Sequence, residues 1–321
     1  MNNLLQPLQS RVDAFKDWWH TQQTAADLSE QVKEPLYHYT DAAGLKGIIE
    51  NQEIWFTSIF HLNDPSELRH GLKCAVYELR NRREIAGQQG DTVTQWVCDD
   101  VERFVTAPEL ISEFGFFAAS FSRAPDDLGQ WRAYGDDGRG FAIGFAPSLF
   151  AVDQTVSAPN PEDNIFVAPV TYGDQATRQQ QGEAITTALD YIKDAIKDPI
   201  KEDSDQIKRF IVHMRRELLV CLIWNSIVTK HDAYSSEREV RLIILGRRCS
   251  FTRIETRTRK SELVPFIRSP IQRKIQRSIS KIIIGPAAEP GAEDAVKHLL
   301  QSSHIDPTNL LVRSTIPYRG R

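Results

Sequence analysis

Cysteine is scarce in this sequence, and the four cysteines lie far apart. Cys74, Cys98, Cys221 and Cys249 form no C-x-x-C pair. The pattern therefore argues against a disulfide framework and against a cysteine-based zinc site. Reduced thiols in a cytoplasmic protein are the better interpretation, since disulfides persist mainly in oxidising compartments. The sequence predicts no metal site.

Several common functional motifs are also missing. The chain has no G-x-G-x-x-G after a strand and no P-loop, the two best-known glycine motifs that hold nucleotide phosphates. It contains neither H-E-x-x-H nor G-x-S-x-G. No stretch approaches the roughly 20 apolar residues of a membrane helix, and no apolar run follows a basic N-terminus. These absences predict a cytoplasmic protein with no membrane association.

Charge of either sign is not in large excess. The 321 residues include 39 basic and 43 acidic side chains, a net charge of −4, so nothing attracts the chain as a whole to nucleic acid. Binding of that kind needs a local basic patch, and the stretch from Arg247 to Lys260 is a weak indication of one. With 41% hydrophobic residues the composition is that of a soluble protein with ample length for a core.

The first 33 residues predict a helix appended to a larger domain. Its apolar side chains form one stripe: Leu8, Val12, Phe15, Trp18 and Trp19. Packing against the main body is the simpler interpretation of this stripe. A surface for a protein partner is the alternative, because exposed aromatic patches mark interfaces. Residues 34–321 are predicted to form a single α+β domain with a split, mostly antiparallel sheet and flanking helices.

That domain is organised around residues 34–41, which predict a short strand that presents His38. The segment from Leu36 to Thr40 favours the extended state. A helix over residues 42–51 follows, with Asp41 or Thr40 as its N-cap. The imidazole is then expected beside a helix N-terminus, where amides and the helix dipole attract negative charge such as a phosphate.

A turn with two polar side chains precedes the next helix. Asn63, Asp64 and Pro65 are a strong turn signal, and Glu67 opens the helix behind them. Asn63 and Asp64 either cap that helix and tie down the loop or contact a ligand directly. Capping is the slightly better interpretation.

Two further candidate groups follow a buried strand over residues 114–122. Ser120 and Ser122 share one face of this strand, because strand side chains alternate. Trp131 and Tyr134 lie three apart on a short helix and therefore on one side of it. These two aromatic residues are either anchors in the core or the wall of a ligand site.

The last candidate group lies on a strand predicted from Ser235 to Leu245. It places Glu237, Glu239 and Arg241 on one face. An edge strand with alternating charges is one interpretation. The apolar run that follows favours an interior strand, where a carboxylate without a partner is costly and a pair of them needs a purpose.

These groups suit cleavage of a glycosidic bond. The transition state of that reaction is an oxocarbenium cation, which a fixed carboxylate facing His38 across an aromatic-walled cleft stabilises. Two other classes stay open. A nucleic-acid-processing enzyme that does not use NAD, such as a phosphotransferase or nuclease, requires the basic residues at the cleft rim. A non-catalytic ligand-binding sensor requires only that Glu237, Glu239 and Arg241 form a salt-bridge network, with Glu239 paired away from His38.

The order of these motifs resembles a bacterial family known mainly as a domain of unknown function. The resemblance covers about residues 35–321 and rests on these segments: Tyr37 to Thr40, Asn63 to Glu67, Phe121-Ser122, Trp131-x-x-Tyr134, Gly140-Phe141, Glu237-x-Glu239-x-Arg241 and Ile282 to Pro286. The motif order is in turn similar to the ADP-ribosyltransferase superfamily. There, a first strand offers His or Arg to the NAD ribose, a middle strand often carries Ser-x-Ser, and a late strand carries Glu-x-Glu.

The resemblance implies an ADP-ribosyltransferase-like fold with NAD as substrate. It assigns His38 to the adenosine-side ribose, supported by Tyr39 or Thr40, and Ser120 and Ser122 to bracing the site. Tyr134 or Trp131 stacks on nicotinamide, Glu239 binds the nicotinamide ribose and stabilises the cation, and Glu237 orients the acceptor. The remaining predicted cofactor contacts are Asn63, Asp64 and Arg241.

The implied activity is ADP-ribosylation of a nucleic acid or protein, in a bacterial conflict or stress setting such as a toxin or phage-defence effector. One departure is visible. The superfamily more often joins a first-strand His with a middle Tyr, and a first-strand Arg with a middle Ser. Here, a first-strand His38 is joined with Ser120 and Ser122.

Overall fold

The computed structural model describes residues 4–25, 32–62, 67–107, 113–151, 158–197, 204–259, 261–268 and 278–320. In these ranges the α-helices are α1 (Gln6–Ala25), α2 (Ala42–Asn51), α3 (Glu67–Gln88), α4 (Thr92–Val105), α5 (Leu128–Tyr134), α6 (Asp174–Lys197), α7 (Ser204–Ile227) and α8 (Ala292–Ser302). The strands are β1 (Leu36–Thr40), β2 (Trp55–Ser58), β3 (Phe114–Ser122), β4 (Phe141–Phe145), β5 (Phe166–Pro169), β6 (Thr171–Tyr172), β7 (Thr229–Lys230), β8 (Glu239–Arg247), β9 (Glu255–Arg259), β10 (Glu262–Arg268), β11 (Ile279–Ile284) and β12 (Leu311–Arg313). The fold is mixed α and β, with a mostly antiparallel sheet, as predicted.

The chain divides into two units, and each draws on three stretches of sequence. One unit comprises residues 1–26, 64–113 and 171–232, and the other comprises residues 27–63, 114–170 and 233–321. The predicted boundary at residue 33, with a single domain from residue 34, stays a prediction. In the structure, both units contain residues beyond 34.

The first unit is helical and contains α1, α3, α4, α6 and α7 with the short parallel pair β6–β7. The apolar stripe of α1 is buried as predicted at Leu8, Val12 and Phe15. Trp19 lies edge-on against Trp224 of α7 at 6.2 Å between ring centroids. The stripe of α1 therefore packs within this helical unit, and the alternative of a protein partner stays a prediction.

The second unit is built on a sheet ordered β12-β11-β4-β1-β3-β2-β10-β9, with β8 and β5 added beside β3. Its pairs are antiparallel except for β11 with β12. A large apolar core covers one face, to which Phe117, Ala119 and Phe121 of β3 contribute. Ser120 and Ser122 of β3 therefore lie on the opposite face, because strand side chains alternate.

The sheet splits along β3. One edge of β3 pairs with β8 over the full length of both strands. The other edge pairs with β2 near its middle, at Ala118 opposite Thr57, and with β1 at its end, at Ser122 opposite Tyr37. Among the described residues, this edge of β3 therefore has a gap at Ser120. The gap lies between Ser122, which pairs with β1, and Ala118, which pairs with β2.

Three elements differ from the prediction. The segment predicted as one strand over residues 167–172 forms β5 and β6, which belong to different sheets. Residues 232–237 form a 3₁₀ helix, so β8 begins at Glu239 and not at Ser235. The basic stretch after Arg247 contributes β9 of a hairpin with β10 that the sequence did not reveal.

All four cysteines are free thiols, and only Cys249 is exposed. Among the described helices, none combines the length and the apolar character required to cross a bilayer.

Candidate functional site

A small pocket opens at the split of the sheet unit. Its volume is about 60 Å³, and its walls are Tyr37, His38, Tyr39, Ser120, Phe121, Ser122, Gln130, Tyr134, Glu237 and Glu239. Pockets for drug-sized ligands are larger, roughly 300–1,000 Å³. In this conformation the pocket therefore admits only a small group, and the rest of a larger ligand has to lie outside it. The structure brings together most of the predicted site residues.

His38 lies at the gap beside Ser120, on the edge of β3 where β1 ends its pairing. Strand alternation turns its side chain away from the face of Tyr37 and Tyr39, and its ring lies 5.7 Å from that of Phe121. If the pairing of β1 with β3 continued, Tyr39 would lie opposite Ser120. Among the described residues, however, the two strands pair only at Tyr37 and Ser122. The Ser120 carbonyl instead accepts a hydrogen bond from His38 Nδ1 at 2.9 Å.

This hydrogen bond fixes the protonation pattern of the His38 ring. A carbonyl can only accept, so Nδ1 carries the proton and Nε2 of the neutral ring is an acceptor. Burial lowers the pKa of His38, and the positive charge of Arg257 lowers it further against the opposing effect of the Ser120 hydrogen bond. The imidazole is therefore neutral at neutral pH, and its Nε2 can accept a hydrogen bond from a donor such as a hydroxyl group.

Glu239 is held by an arginine on its own strand. Arg241 Nε and Nη2 donate to the two carboxylate oxygens of Glu239 at 2.7 and 3.0 Å. Both side chains are buried, Glu239 at 6% and Arg241 at 1% exposure. Their neighbours on β3 are Ser122 and Ser120, which lie on the same face. The predicted pairing of Glu239 with Arg241 thus occurs, but Glu239 still lines the pocket that contains His38.

Glu237 reaches the pocket differently. It ends the 3₁₀ helix before β8, and Arg238 then turns the chain with a left-handed φ of 45°. The prediction that Glu237 shares a strand face with Glu239 and Arg241 is therefore wrong for Glu237. Its carboxylate is half-buried and accepts a hydrogen bond from the Tyr134 hydroxyl at 2.9 Å. The Tyr134 hydroxyl therefore orients this carboxylate.

The two serines of β3 have different tasks. The Ser122 hydroxyl donates to the backbone carbonyl of Glu237 at 2.7 Å and accepts from the Ala124 amide at 3.0 Å. Ser122 therefore fixes the chain around Glu237. Ser120 lines the pocket, and among the described residues no partner of its hydroxyl is recorded. Ser120 is thus the serine that can contact a ligand.

Several predicted ligand contacts are structural. Trp131 is completely buried and donates from Nε1 to Asp126 at 2.7 Å, which favours the core anchor among its predicted alternatives. The Tyr39 hydroxyl donates to the Ala124 carbonyl at 2.9 Å and accepts from the Asp127 amide. Burial raises the pKa of Tyr39, so this hydroxyl stays protonated. Through these two hydrogen bonds, the Tyr39 hydroxyl anchors the loop before α5.

Thr40 and its neighbour also act locally. Asp41 is the N-cap of α2, accepting from the Gly44 amide at 2.7 Å, as one of the two predicted alternatives. The Thr40 side chain lies against the first turn of α2, where a side chain at Gly44 would collide with it. Thr40 is not part of the pocket wall. Asn63 and Asp64 lie outside the described residues, so their prediction stays open.

The described residues of the basic stretch differ in their distance from the pocket. Arg247 lies at the opposite end of β8 from Glu239, roughly 26 Å away at about 3.3 Å per residue. Arg253 pairs with Asp163, and Arg259 lies 3.4 Å from Glu262. Arg257 is the described residue of this stretch whose charge acts on His38. The arrangement gives little support to a nucleic-acid-processing site.

Sequence reasoning missed two polar residues of the wall. Gln130 is buried and four residues before Tyr134, so both lie on one side of α5. This four-residue spacing is visible in the sequence, but the prediction was based on the aromatic pair Trp131 and Tyr134. Tyr37 is the second; its pKa is raised by burial and by the charge of Glu34. It pairs with Ser122 and so shares the face of Glu239.

Comparison with known protein families gives a match to part of the chain. Residues 130–242 match a family described as a protein of unknown function, DUF2971. The matched range contains Tyr134, Glu237 and Glu239, together with helices of the other unit. No curated protein matches the chain. No solved structure matches it either.

Proposed function

We propose that this protein is an NAD-dependent ADP-ribosyltransferase that modifies a nucleic acid or a protein. The observation that carries the proposal is a single pocket in which a neutral His38 and the Glu237 carboxylate meet at the gap between β1 and β3. A split antiparallel sheet, with His38 on its first strand, Glu239 at the start of a late strand and Glu237 just before that strand, supports the resemblance to that superfamily. The bacterial conflict setting, as a toxin or phage-defence effector, rests on that resemblance alone.

In this proposal the residues have distinct roles. His38 Nε2 accepts a hydrogen bond from a ribose hydroxyl of NAD. The small pocket takes the nicotinamide group, with Tyr134 against the ring and Ser120 and Gln130 available to its amide. The adenosine half lies outside the pocket, in line with its volume of about 60 Å³.

The reaction breaks the bond between the nicotinamide nitrogen and the ribose carbon. The electron pair stays on nitrogen and neutralises the pyridinium, while the ribose becomes an oxocarbenium cation. A carboxylate close to this cation lowers its energy relative to the ground state. A lone pair of the acceptor then bonds to the ribose carbon, and the acceptor loses its proton.

We assign cation stabilisation to Glu237 and not to Glu239. Both oxygens of Glu239 bind the Arg241 guanidinium, so its charge is neutralised at close range. Glu237 is the less buried of the two carboxylates in the pocket wall, and the Tyr134 hydroxyl orients it. Glu239 then positions the start of β8 and the groups around it.

Nicotinamide release from NAD tests the proposal, measured with total cellular nucleic acid and protein as acceptors. We expect release by the wild type and a loss of about 100- to 1,000-fold in Glu237→Gln, the magnitude typical when a group that stabilises transition-state charge is removed. Glu262→Gln is the matched control, since Glu262 is an exposed carboxylate of the same unit. Absence of release under every condition, together with absence of NAD binding in calorimetry, would overturn the proposal.

A second candidate is a non-catalytic ligand-binding module. The observation that favours it is the bidentate Glu239–Arg241 pair, which uses both oxygens of one of the two pocket carboxylates. This candidate predicts calorimetric binding of NAD or another ligand with no nicotinamide release, and binding that Ser120→Ala or His38→Gln weakens.

A further inference from the structure

Three side chains with metal-binding atoms meet in the helical unit. His70 and Cys74 lie four residues apart and therefore on one side of α3. Asp174 is the first residue of α6. The His70 nitrogen, the Cys74 sulfur and an Asp174 oxygen all lie within 4.8 Å of one another. This cluster belongs to a different unit from the pocket and is independent of the function proposed for it.

The His70 ring has an unusual environment. Its Nε2 atom is buried and has no hydrogen-bond partner among the described residues, although Asp174 Oδ1 lies 3.2 Å away. A buried polar atom that makes no well-aligned hydrogen bond costs free energy, and such an atom in a native structure calls for an explanation. A metal ion between Nε2, the carboxylate and the thiol supplies one.

We propose that His70, Cys74 and Asp174 bind a single Zn²⁺ ion, with water in the fourth position. One imidazole nitrogen, one thiolate and one carboxylate oxygen form a donor set that Zn²⁺ accepts, and three protein ligands with an open position are typical of zinc sites that are not purely structural. Hard cations such as Mg²⁺ and Ca²⁺ prefer oxygen donors alone. The sequence prediction of no metal site considered cysteine pairs and overlooked this His-x-x-x-Cys spacing.

The surroundings of Asp174 fit this role. Its Oδ1 faces His70, while its Oδ2 lies 3.5 Å from Nη2 of Arg178. The Arg178 guanidinium rests over the Tyr77 ring, 4.1 Å from its centroid. One carboxylate oxygen can therefore bind the ion while the other is oriented by Arg178, as outer partners orient metal ligands elsewhere. The positive charge of Arg178, which also acts on Cys74, lowers the affinity of the site for a cation.

Cys74 is buried in the folded chain. Coordination requires the thiolate, and Zn²⁺ binding displaces the proton into solvent. The bound ion then links α3 to the start of α6, and it stabilises the folded chain to the degree that it binds the native state only.

The first test is metal binding by the full-length chain. Protein stripped with a chelator and titrated with Zn²⁺ should bind one equivalent, raise the unfolding temperature and release protons in calorimetry. Co²⁺ in place of Zn²⁺ should produce a thiolate-to-cobalt absorption band. Mg²⁺ at the same concentration should produce none of these changes. A wild type that binds no Zn²⁺ would overturn the proposal.

Variants show whether these three residues are the ligands. Asp174→Asn and Cys74→Ser should each weaken Zn²⁺ binding at least about 10- to 100-fold, since loss of outer partners alone has effects of that size. Cys74→Ser should also abolish the cobalt band. Cys249→Ser is the control, because Cys249 is an exposed thiol in the sheet unit. Asp174 is exposed, so its variant is expected to fold, and circular dichroism checks both. Wild-type affinity in both variants would show that Zn²⁺ binds elsewhere.

Discussion

At the start of β8, the Glu239 carboxylate is enclosed with the Arg241 guanidinium, whereas Glu237, two residues earlier, meets a neutral hydroxyl at the edge of the same pocket. The first carboxylate is buried and its charge is neutralised. The second is half-buried. The comparison teaches that two equal side chains in one pocket can have different surroundings, one enclosed with an arginine and the other held at the pocket edge by a hydroxyl.

The largest expected effect separates the two carboxylates by stability. Arg241→Ala should lower the free energy of unfolding by about 3–5 kcal/mol, because it leaves Glu239 buried without its counter-charge. Glu237→Gln should change it by less than about 1 kcal/mol, since the amide oxygen still accepts from Tyr134. Urea denaturation measures both.

The double variant Glu239→Gln with Arg241→Met sharpens this comparison. Replacing both charges together removes the uncompensated carboxylate, so much of the loss caused by Arg241→Ala should be recovered. Equal losses in Arg241→Ala and Glu237→Gln would contradict the division of roles.

A smaller effect is expected from the hydrogen bond that orients Glu237. Tyr134→Phe should lower nicotinamide release about tenfold, the equivalent of roughly 1.4 kcal/mol, which lies near the lower bound for a hydrogen bond to a charged group. Stability should change little. Tyr318→Phe is a matched control, because Tyr318 also donates to a carboxylate, Asp137 at 2.6 Å, and does not line the pocket. A similar loss of activity in both variants would argue against the role of Tyr134.

The smallest effect concerns pH. The folded-state pKa of His38 is lowered from its usual value of 6.5, so the unfolded chain binds this proton more readily. The contribution of neutral His38 to the free energy of unfolding is fully present above pH 6.5. This contribution declines as the pH falls from 6.5 through the folded-state pKa. His38→Gln should remove this component. Chemical denaturation of both proteins across this range measures it, and parallel pH profiles would show that His38 does not contribute.

Local patterns predicted much of the fold. The strand over residues 114–122 and the cap at Asp41 matched the structure because each depends on short-range rules of alternation and capping. The pocket also brought together His38, Ser120 and Tyr134, since each is presented by one of those elements. The burial of Trp131 was not predictable in this way. On a helix, an aromatic residue that faces the core and one that faces a ligand have the same spacing.

Long-range features were also missed. In the β9–β10 hairpin, β9 consists of charged residues and threonines, so its alternation gave no apolar signal, and the pairing of β10 with β2 places the hairpin in the sheet. The separation of β5 from β6 at Val170 is a matter of tertiary pairing, because residues 167–172 read as one continuous strand.

Arg238 changes what Glu-x-Glu means as a search pattern. A left-handed residue that is not glycine costs on the order of 1–3 kcal/mol, and the Arg123 amide holds its carbonyl at 3.1 Å. The two carboxylates therefore reach one pocket across a corner of the chain and not along one strand. A pattern that accepts any strand-forming residue at this middle position selects the wrong backbone. A search pattern that accepts glycine, asparagine, aspartate or arginine between the two glutamates selects chains that can make this corner.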